Sequence, residues 1–190
     1  MFTPNEDKIL TSGHVWHGVA IGWKKELSAS ILPLKSTYER VAGIKLSSCS
    51  KSLLLVSFYA PTAGHDEDFL ESISYLSDFL ASNMSIGDQI LIGADCNCSS
   101  KSTIRRQHSW KNFCELEMNR TNYPTFHHHN GTSNSFIDIF AASKGLDIGS
   151  MLQHCTLDDP LNLSSHNPIE AKLCVQLEKS SKQCRLTSFN

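Results

Sequence analysis

The chain has 190 residues, 40% hydrophobic and 19% charged, with a formal net charge of −2. That is the size of one domain with an ordinary globular composition. The near-neutral balance argues against a general nucleic-acid binder, because phosphate affinity is mostly cationic, but it leaves room for an enzyme that holds phosphate with a metal.

Six apolar runs read as strands in chain order: 18–23 (GVAIGW), 40–46 (RVAGIKL), 52–60 (SLLLVSFYA), 89–95 (QILIGAD), 135–143 (SFIDIFAAS) and 169–177 (IEAKLCVQL). The third and fourth are nearly continuous, as in strands covered on both faces. The second and sixth alternate, as in strands with one wet face. A helix is predicted over 66–82, where Phe69, Ile73, Leu76 and Leu80 recur at helical spacing behind an acidic first turn. A second is predicted over 105–119, followed by a turn-rich loop, YPTFHHHNGTSN. Strands outnumber helices, which predicts an α/β or α+β sandwich with mixed sheets rather than a regular βαβ array. No run approaches the ~20 apolar residues of a membrane span. The opening MFTPNEDKIL has neither a basic nor an apolar leader region, which predicts an intracellular chain. The seven cysteines, at 49, 96, 98, 114, 155, 174 and 184, form no C-x-x-C pair and read as reduced thiols.

Chemistry concentrates at strand ends. In ILIGADCN, strand alternation would send Asp95 and Asn97 to one side, where an acid and an amide suit a metal or a phosphate; the same residues also make a plain turn. Cys96 and Cys98 could hold a soft metal or be two buried thiols. Tyr59, just before APT, is a packed aromatic or a hydroxyl aimed at a phosphate oxygen. Asp138 sits between Ile137 and Ile139, and a carboxylate in an apolar strand is costly unless paired. His166, in SSHNPI, is the obvious partner: an acid on one ring nitrogen fixes the tautomer and leaves the other for acid–base work. His127, His128 and His129 read as a metal tract or a solvated loop. Lys101, Arg105, Arg106 and Lys111 read as a solvated helix face, or as cations that steer a polyanion.

In sequence order, GVAI, SFYAPT, ILIGADCN, PTFHHHNGTSNSFIDIF and SSHNPI resemble the endonuclease/exonuclease/phosphatase superfamily, above all the apurinic-endonuclease-like domain of LINE-type (non-LTR) retrotransposons. The likeness spans residues 15–178, between an N-terminal segment (1–14) and a polar tail (179–190). It implies a four-layer α/β sandwich of two packed mixed sheets flanked by helices. It also implies Mg²⁺- or Mn²⁺-dependent hydrolysis of DNA phosphodiesters in the nucleus. In those roles Tyr59 contacts phosphate, Asp95 orients the attacking water, Asn97 holds an oxygen or the metal, Asp138 orients His166, and His166 stabilises the transition state. Metal would rest on Asp95 and Asn97, and DNA on Lys101, Arg105 and Arg106.

Departures from the family pattern modify this. GADCN stands for GDFN, His17 for a glycine, and SSH for SDH, so Ser165 replaces an acid. Glu6 lacks the context of the family's metal-binding Glu, so the first strand–helix–strand unit is expected to be missing. These departures imply weak or absent catalysis and an uncovered sheet edge prone to aggregate. The alternatives are a catalytically dead nucleic-acid or protein binding domain of the same fold, or a superfamily phosphatase.

Overall fold

The computed structural model describes residues 18–47, 52–98, 106, 109, 117–119, 123–128, 131, 133–143, 146, 154–156 and 162–171. After an extended segment (18–24) and a 3-10 helix (Lys25–Ser30) come β1 (Ile31–Leu34), β2 (Val41–Leu46), β3 (Leu53–Tyr59), α1 (Asp66–Asn83) and β4 (Gln89–Asp95). Then follow β5 (Glu117–Asn119), β6 (Phe126–His127), β7 (Asn134–Ser135), β8 (Asp138–Ala142), β9 (His154–Thr156) and β10 (Ile169–Ala171). Six of the strands form one mixed sheet in the order β1-β2-β3-β4-β8-β5. Only β3 and β4 in it run parallel, joined through α1; β6–β7 and β9–β10 are separate antiparallel pairs. The architecture is an α/β sandwich. Among the described residues no helix is long and apolar enough to cross a membrane.

The helical period sets the main core. Phe69, Ile73, Leu76 and Leu80, joined by Ser72 and Phe79, form the buried face of α1 against one face of the sheet. Phe69 and Leu76 are wholly buried, each contributing roughly 1.5–3 kcal/mol relative to exposure. Asp66, Glu67 and Asp68 occupy the first turn, where the helix dipole favours negative charge. Gly43 is needed for this contact: a Cβ there would lie 2.6 Å from Cζ of Phe79.

The opposite face is covered differently. Leu46, Leu53, Leu91, Ala142 and Leu146 cluster there with Ile31, Leu55, Phe140 and Ala171 of β10. Beyond that cluster the face opens into a cavity of about 690 Å³, whose floor includes Leu55, Ser57, Gly93 and Phe140. Gly93 lets the Phe140 ring lie close, since a Cβ would stand 3.3 Å from its edge.

Several sequence expectations change here. Residues 18–22 alternate between exposed and half-buried, Trp23 is exposed, and Val19 and Ile21 turn into the cavity, but the segment joins none of the described sheets. Strand β1 replaces it as the first strand. Pro33 hid that strand, yet proline is tolerated on an edge. β2, expected to have a wet face, is buried at every position except Lys45, because α1 covers one side and β1 and β3 flank it. β3, expected to be covered on both faces, leaves Leu55, Ser57 and Tyr59 half-buried because they border the cavity. The helix expected over 105–119 has given way to β5 by Glu117. The run 135–143 splits between β7 and β8, and of 169–177 only Ile169–Ala171 is described. Segments 1–14, with Glu6, and 179–190 lie outside the described residues.

Candidate functional site

Strand register alone brings three sequence-predicted residues side by side. Tyr59 ends β3 opposite Asp95, which ends β4, and Asp95 faces Asp138 at the start of β8. Residues directly opposite in neighbouring strands project to the same side, and all three line the cavity. The ladder continues past the strand ends, with Ala60 N–H donating to the Asp95 carbonyl at 2.9 Å and Cys96 N–H to that of Ile137 at 2.8 Å. Backbone hydrogen bonds therefore fix where these side chains leave the sheet.

His166 arrives from a different element. It bridges to Phe126 of β6, ahead of β10, and its ring lies 4.8 Å from the Phe126 ring. Its Nδ1–H donates to Asp138, 3.0 Å from Oδ2 and 3.2 Å from Oδ1. A carboxylate can only accept, so this contact puts the proton on Nδ1 and leaves Nε2 for other work. Asn162 holds the loop through Nδ2 to the His166 carbonyl at 2.7 Å, and Ser164 Oγ accepts the His166 N–H at 3.0 Å.

Sequence reasoning missed Thr125, which is wholly buried. Its Oγ1 accepts the N–H groups of Ile137 (3.2 Å) and Asp138 (3.1 Å), and its carbonyl accepts that of Asn167 at 2.7 Å. One threonine thus fixes both the acid and the loop that carries the imidazole. The only sequence signal was its place in PTF, between a turn and a strand.

The electrostatics follow from burial and facing charges. Burial, and then the opposed Asp138, push the Asp95 carboxyl up to about 6; His166 and the Asn97 N–H, 3.1 Å from Asp95 Oδ1, pull the other way. His166 is raised chiefly by its hydrogen bond to Asp138, against the cost of burial. Ligand atoms of Asp95, Asp138 and His166 all lie within 4.8 Å of one another. Two carboxylates crowded enough to retain a proton suit a hard divalent cation, which would relieve their repulsion.

Other sequence-predicted residues do not join them. Asn97 lies beyond the end of β4 in a left-handed conformation (φ 43°), so strand alternation no longer aims it. Its Nδ2 donates to the Ala60 carbonyl at 2.8 Å, and it does not line the cavity. Arg106, expected on a solvated face for DNA, is 2% exposed. Its guanidinium lies over the Phe69 ring, pairs with Asp66, and donates to the carbonyls of Pro61, Thr62, His65 and Asn97. The loop after β3 presents an array of carbonyls that only a multidentate cation can satisfy, so Arg106 is a structural clamp. Lys101, Arg105, Lys111 and His129 lie outside the described residues. His127 spends Nδ1 on Asn134 Oδ1 and Nε2 on Asn167 Nδ2, both at 2.9 Å, and His128 meets Ser135 Oγ at 3.3 Å. These histidines tie the β6–β7 hairpin together. Cys96 and Cys98 are buried in the core. Ser165 is half-buried, and its carbonyl accepts the His127 N–H at 2.8 Å.

No family model and no curated protein sequence matches the chain. Solved structures do. The endonuclease domain of TRAS1, a telomere-specific non-LTR retrotransposon, superposes with TM-score 0.60 at 17% identity, covering 85% of this chain and 80% of that one. An AP endonuclease from Archaeoglobus fulgidus gives TM-score 0.58 at 14% identity, covering 72% of this chain and 66% of that one. A beta toxin variant from Staphylococcus aureus with bound magnesium ions gives 0.56 at 16%, covering 70% of this chain and 57% of that one. The fold is shared with these structures, and with an endonuclease/exonuclease/phosphatase family protein from Leptotrichia buccalis at TM-score 0.53 and 11% identity, covering 70% of this chain and 52% of that one.

Proposed function

We propose that the chain is a nuclease-type phosphodiesterase domain related to retrotransposon endonucleases, with slow or vestigial turnover. The observation that carries this is the hydrogen-bonded Asp138–His166 pair beside Asp95 and Tyr59 at one rim of a cavity. Phosphoryl transfer demands little covalent chemistry from a protein; positioning and charge stabilisation supply most of the rate. In this reading the Tyr59 hydroxyl donates to a non-bridging phosphate oxygen. Asp95, ionised above about pH 6, orients the attacking water and accepts its proton. Asp138 keeps the His166 proton on Nδ1, so that a charged ring offers its Nε2–H to the phosphorane oxygens. Asp95 and Asp138 would hold a divalent cation, which when bound supplies charge neutralisation at the phosphate. DNA is the partner of choice by analogy with the two endonucleases above.

Ser165 supports the qualification on rate. A serine supplies neither the charge nor the coordination a divalent cation takes from an acid. The same residue favours a second reading, binding without turnover.

The test is conversion of supercoiled plasmid to open circle in Mg²⁺ or Mn²⁺, with chelator and His166→Ala controls. Slow, chelator-sensitive nicking lost in His166→Ala is expected. No nicking, with duplex binding retained, would assign the site to binding. Release of phosphate from monoesters without nicking would move it to the phosphatase class and overturn the proposal.

A further inference from the structure

The row across the sheet end has one more member than this chemistry uses. Val41 faces Phe58 across β2 and β3, so one step further along the antiparallel register Arg40 faces Tyr59. The Tyr59 N–H donates to the Arg40 carbonyl at 3.0 Å. Across the rim the order is therefore a cation, a phenol, two acids and the imidazole. The Arg40 guanidinium lies 5.0 Å from the centre of the Tyr59 ring. Its Nη1 is shielded from solvent and has no hydrogen-bond partner among the described residues.

That is an unusual way to leave an arginine. A buried donor without an acceptor forfeits its hydration, and a charged one forfeits more. Arg106, 2% exposed, shows the ordinary solution in the same protein, a carboxylate and four carbonyls around one guanidinium. Stacking on Tyr59 offsets part of the cost at Arg40 but supplies no acceptor. The residue as a whole is half-buried, so an oxyanion arriving from solvent can reach the group after a turn about its last torsions.

We propose that Arg40 is a phosphate-binding residue of this site, taking a backbone phosphate adjacent to the one held at Asp95 and His166. The proposal rests on the phosphodiester reading above and narrows the substrate to a polynucleotide. Adjacent strands lie ~4.8 Å apart, so Arg40 stands two strand spacings from Asp95, roughly 10 Å. With its guanidinium over Tyr59 rather than over the acids, it meets a neighbouring phosphate, not the reacting one. A planar guanidinium stacked by one face keeps its edge N–H groups for the paired oxygens of a phosphate. A lone phosphomonoester at the acids would leave Arg40 as it is now.

The experiment is equilibrium binding of a labelled DNA duplex to the full chain in chelator, by anisotropy, over a range of salt, for the unmodified protein, Arg40→Met and Arg40→Lys. One lost phosphate contact lowers the slope of log affinity against log salt by about 0.9. Arg40→Met is expected to show that loss and weaker binding throughout, and Arg40→Lys to recover the slope without the full affinity. Should Arg40→Met fail to fold, the ¹⁵Nε resonance of Arg40 in the unmodified chain serves instead and is expected to shift on titration with duplex. Duplex binding with an unchanged slope, or with an unmoved Arg40 resonance, overturns the Arg40 assignment alone. No duplex binding by the unmodified chain, either in chelator or in Mg²⁺, overturns the nucleic-acid reading of the site and this proposal with it.

Discussion

Asp95→Asn should stabilise the protein, and only at high pH. The Asp95 carboxyl ordinarily titrates near 3.8 and is pushed up to about 6 in the folded chain, first by burial and next by the facing Asp138. Between those values the native state holds a proton that the unfolded state has released, so stability falls as pH rises through the window. At 1.36 kcal/mol per pKa unit the ionised carboxylate costs about 3 kcal/mol once pH exceeds 6. Asparagine has the same shape, keeps the acceptor for the Asn97 N–H 3.1 Å away, and carries no charge. The substitution also removes part of what holds the proton on His166, so that figure is a ceiling. The assay is urea denaturation in chelator. At about pH 4 the two proteins should agree within roughly 0.5 kcal/mol, and at about pH 8 the variant should be more stable by up to about 3 kcal/mol. Equal stability at both pH values, or a less stable variant at the higher one, would refute the account of Asp95 as a buried charge facing a like charge.

Two further outcomes are expected. Asp138→Asn should lower the His166 pKa, because the hydrogen bond from Nδ1 to that carboxylate is the largest influence raising it; an NMR titration with the His166 midpoint unmoved would break the pairing. Arg106→Met should cost at least about 1–3 kcal/mol in chemical denaturation, the range for leaving a buried polar group unsatisfied, since four carbonyls and the partly exposed Asp66 lose their donor; a loss under about 1 kcal/mol would return Arg106 to the solvated face.

What could be read from the sequence follows from which signals are local. The limits of β4 match the run QILIGAD, and α1 extends one residue beyond its predicted end, because both bury one continuous or periodic apolar face. The edge strand β1 has only four residues, one a proline, and pairs because β2 lies beside it, which is a tertiary fact. Asp138 was legible because a carboxylate inside an apolar strand demands a partner, and His166 was the partner named. Arg106 was not, since a basic run looks solvated until the carbonyls of another loop close around it. The alternation argument does not reach Asn97 for a geometric reason: it predicts side-chain direction only as far as the strand, which ends two residues earlier. Thr125 and Arg40 carry no pattern of their own. Their significance comes from register, in Thr125 beneath the backbone of Asp138 and Arg40 across from Tyr59.

The acids themselves favour the proposed reading of this rim as a site over a purely structural one. Like charges directly opposite on neighbouring strands are destabilising, and Asp95 faces Asp138 without an intervening residue. A fold selected only to persist would place a neutral residue at either position, as the expected gain from Asp95→Asn expresses. Instead the surroundings are arranged to keep both acids: Thr125 fixes the Asp138 backbone, His166 neutralises its carboxylate, and the Asn97 N–H braces Asp95. Each of these contacts lowers the cost of the pair without removing the charge. Such an arrangement is what a site needs if it is to meet a cation or a proton at Asp95 and an oxyanion at His166. The same logic extends to Arg40 at the far end of the row, where a shielded donor lacks an acceptor among the described residues. Paired carboxylates on one side of Tyr59 and, on the other, a guanidinium with one shielded nitrogen lacking an acceptor among the described residues suit the proposed partner, one that brings a cation and more than one phosphate together.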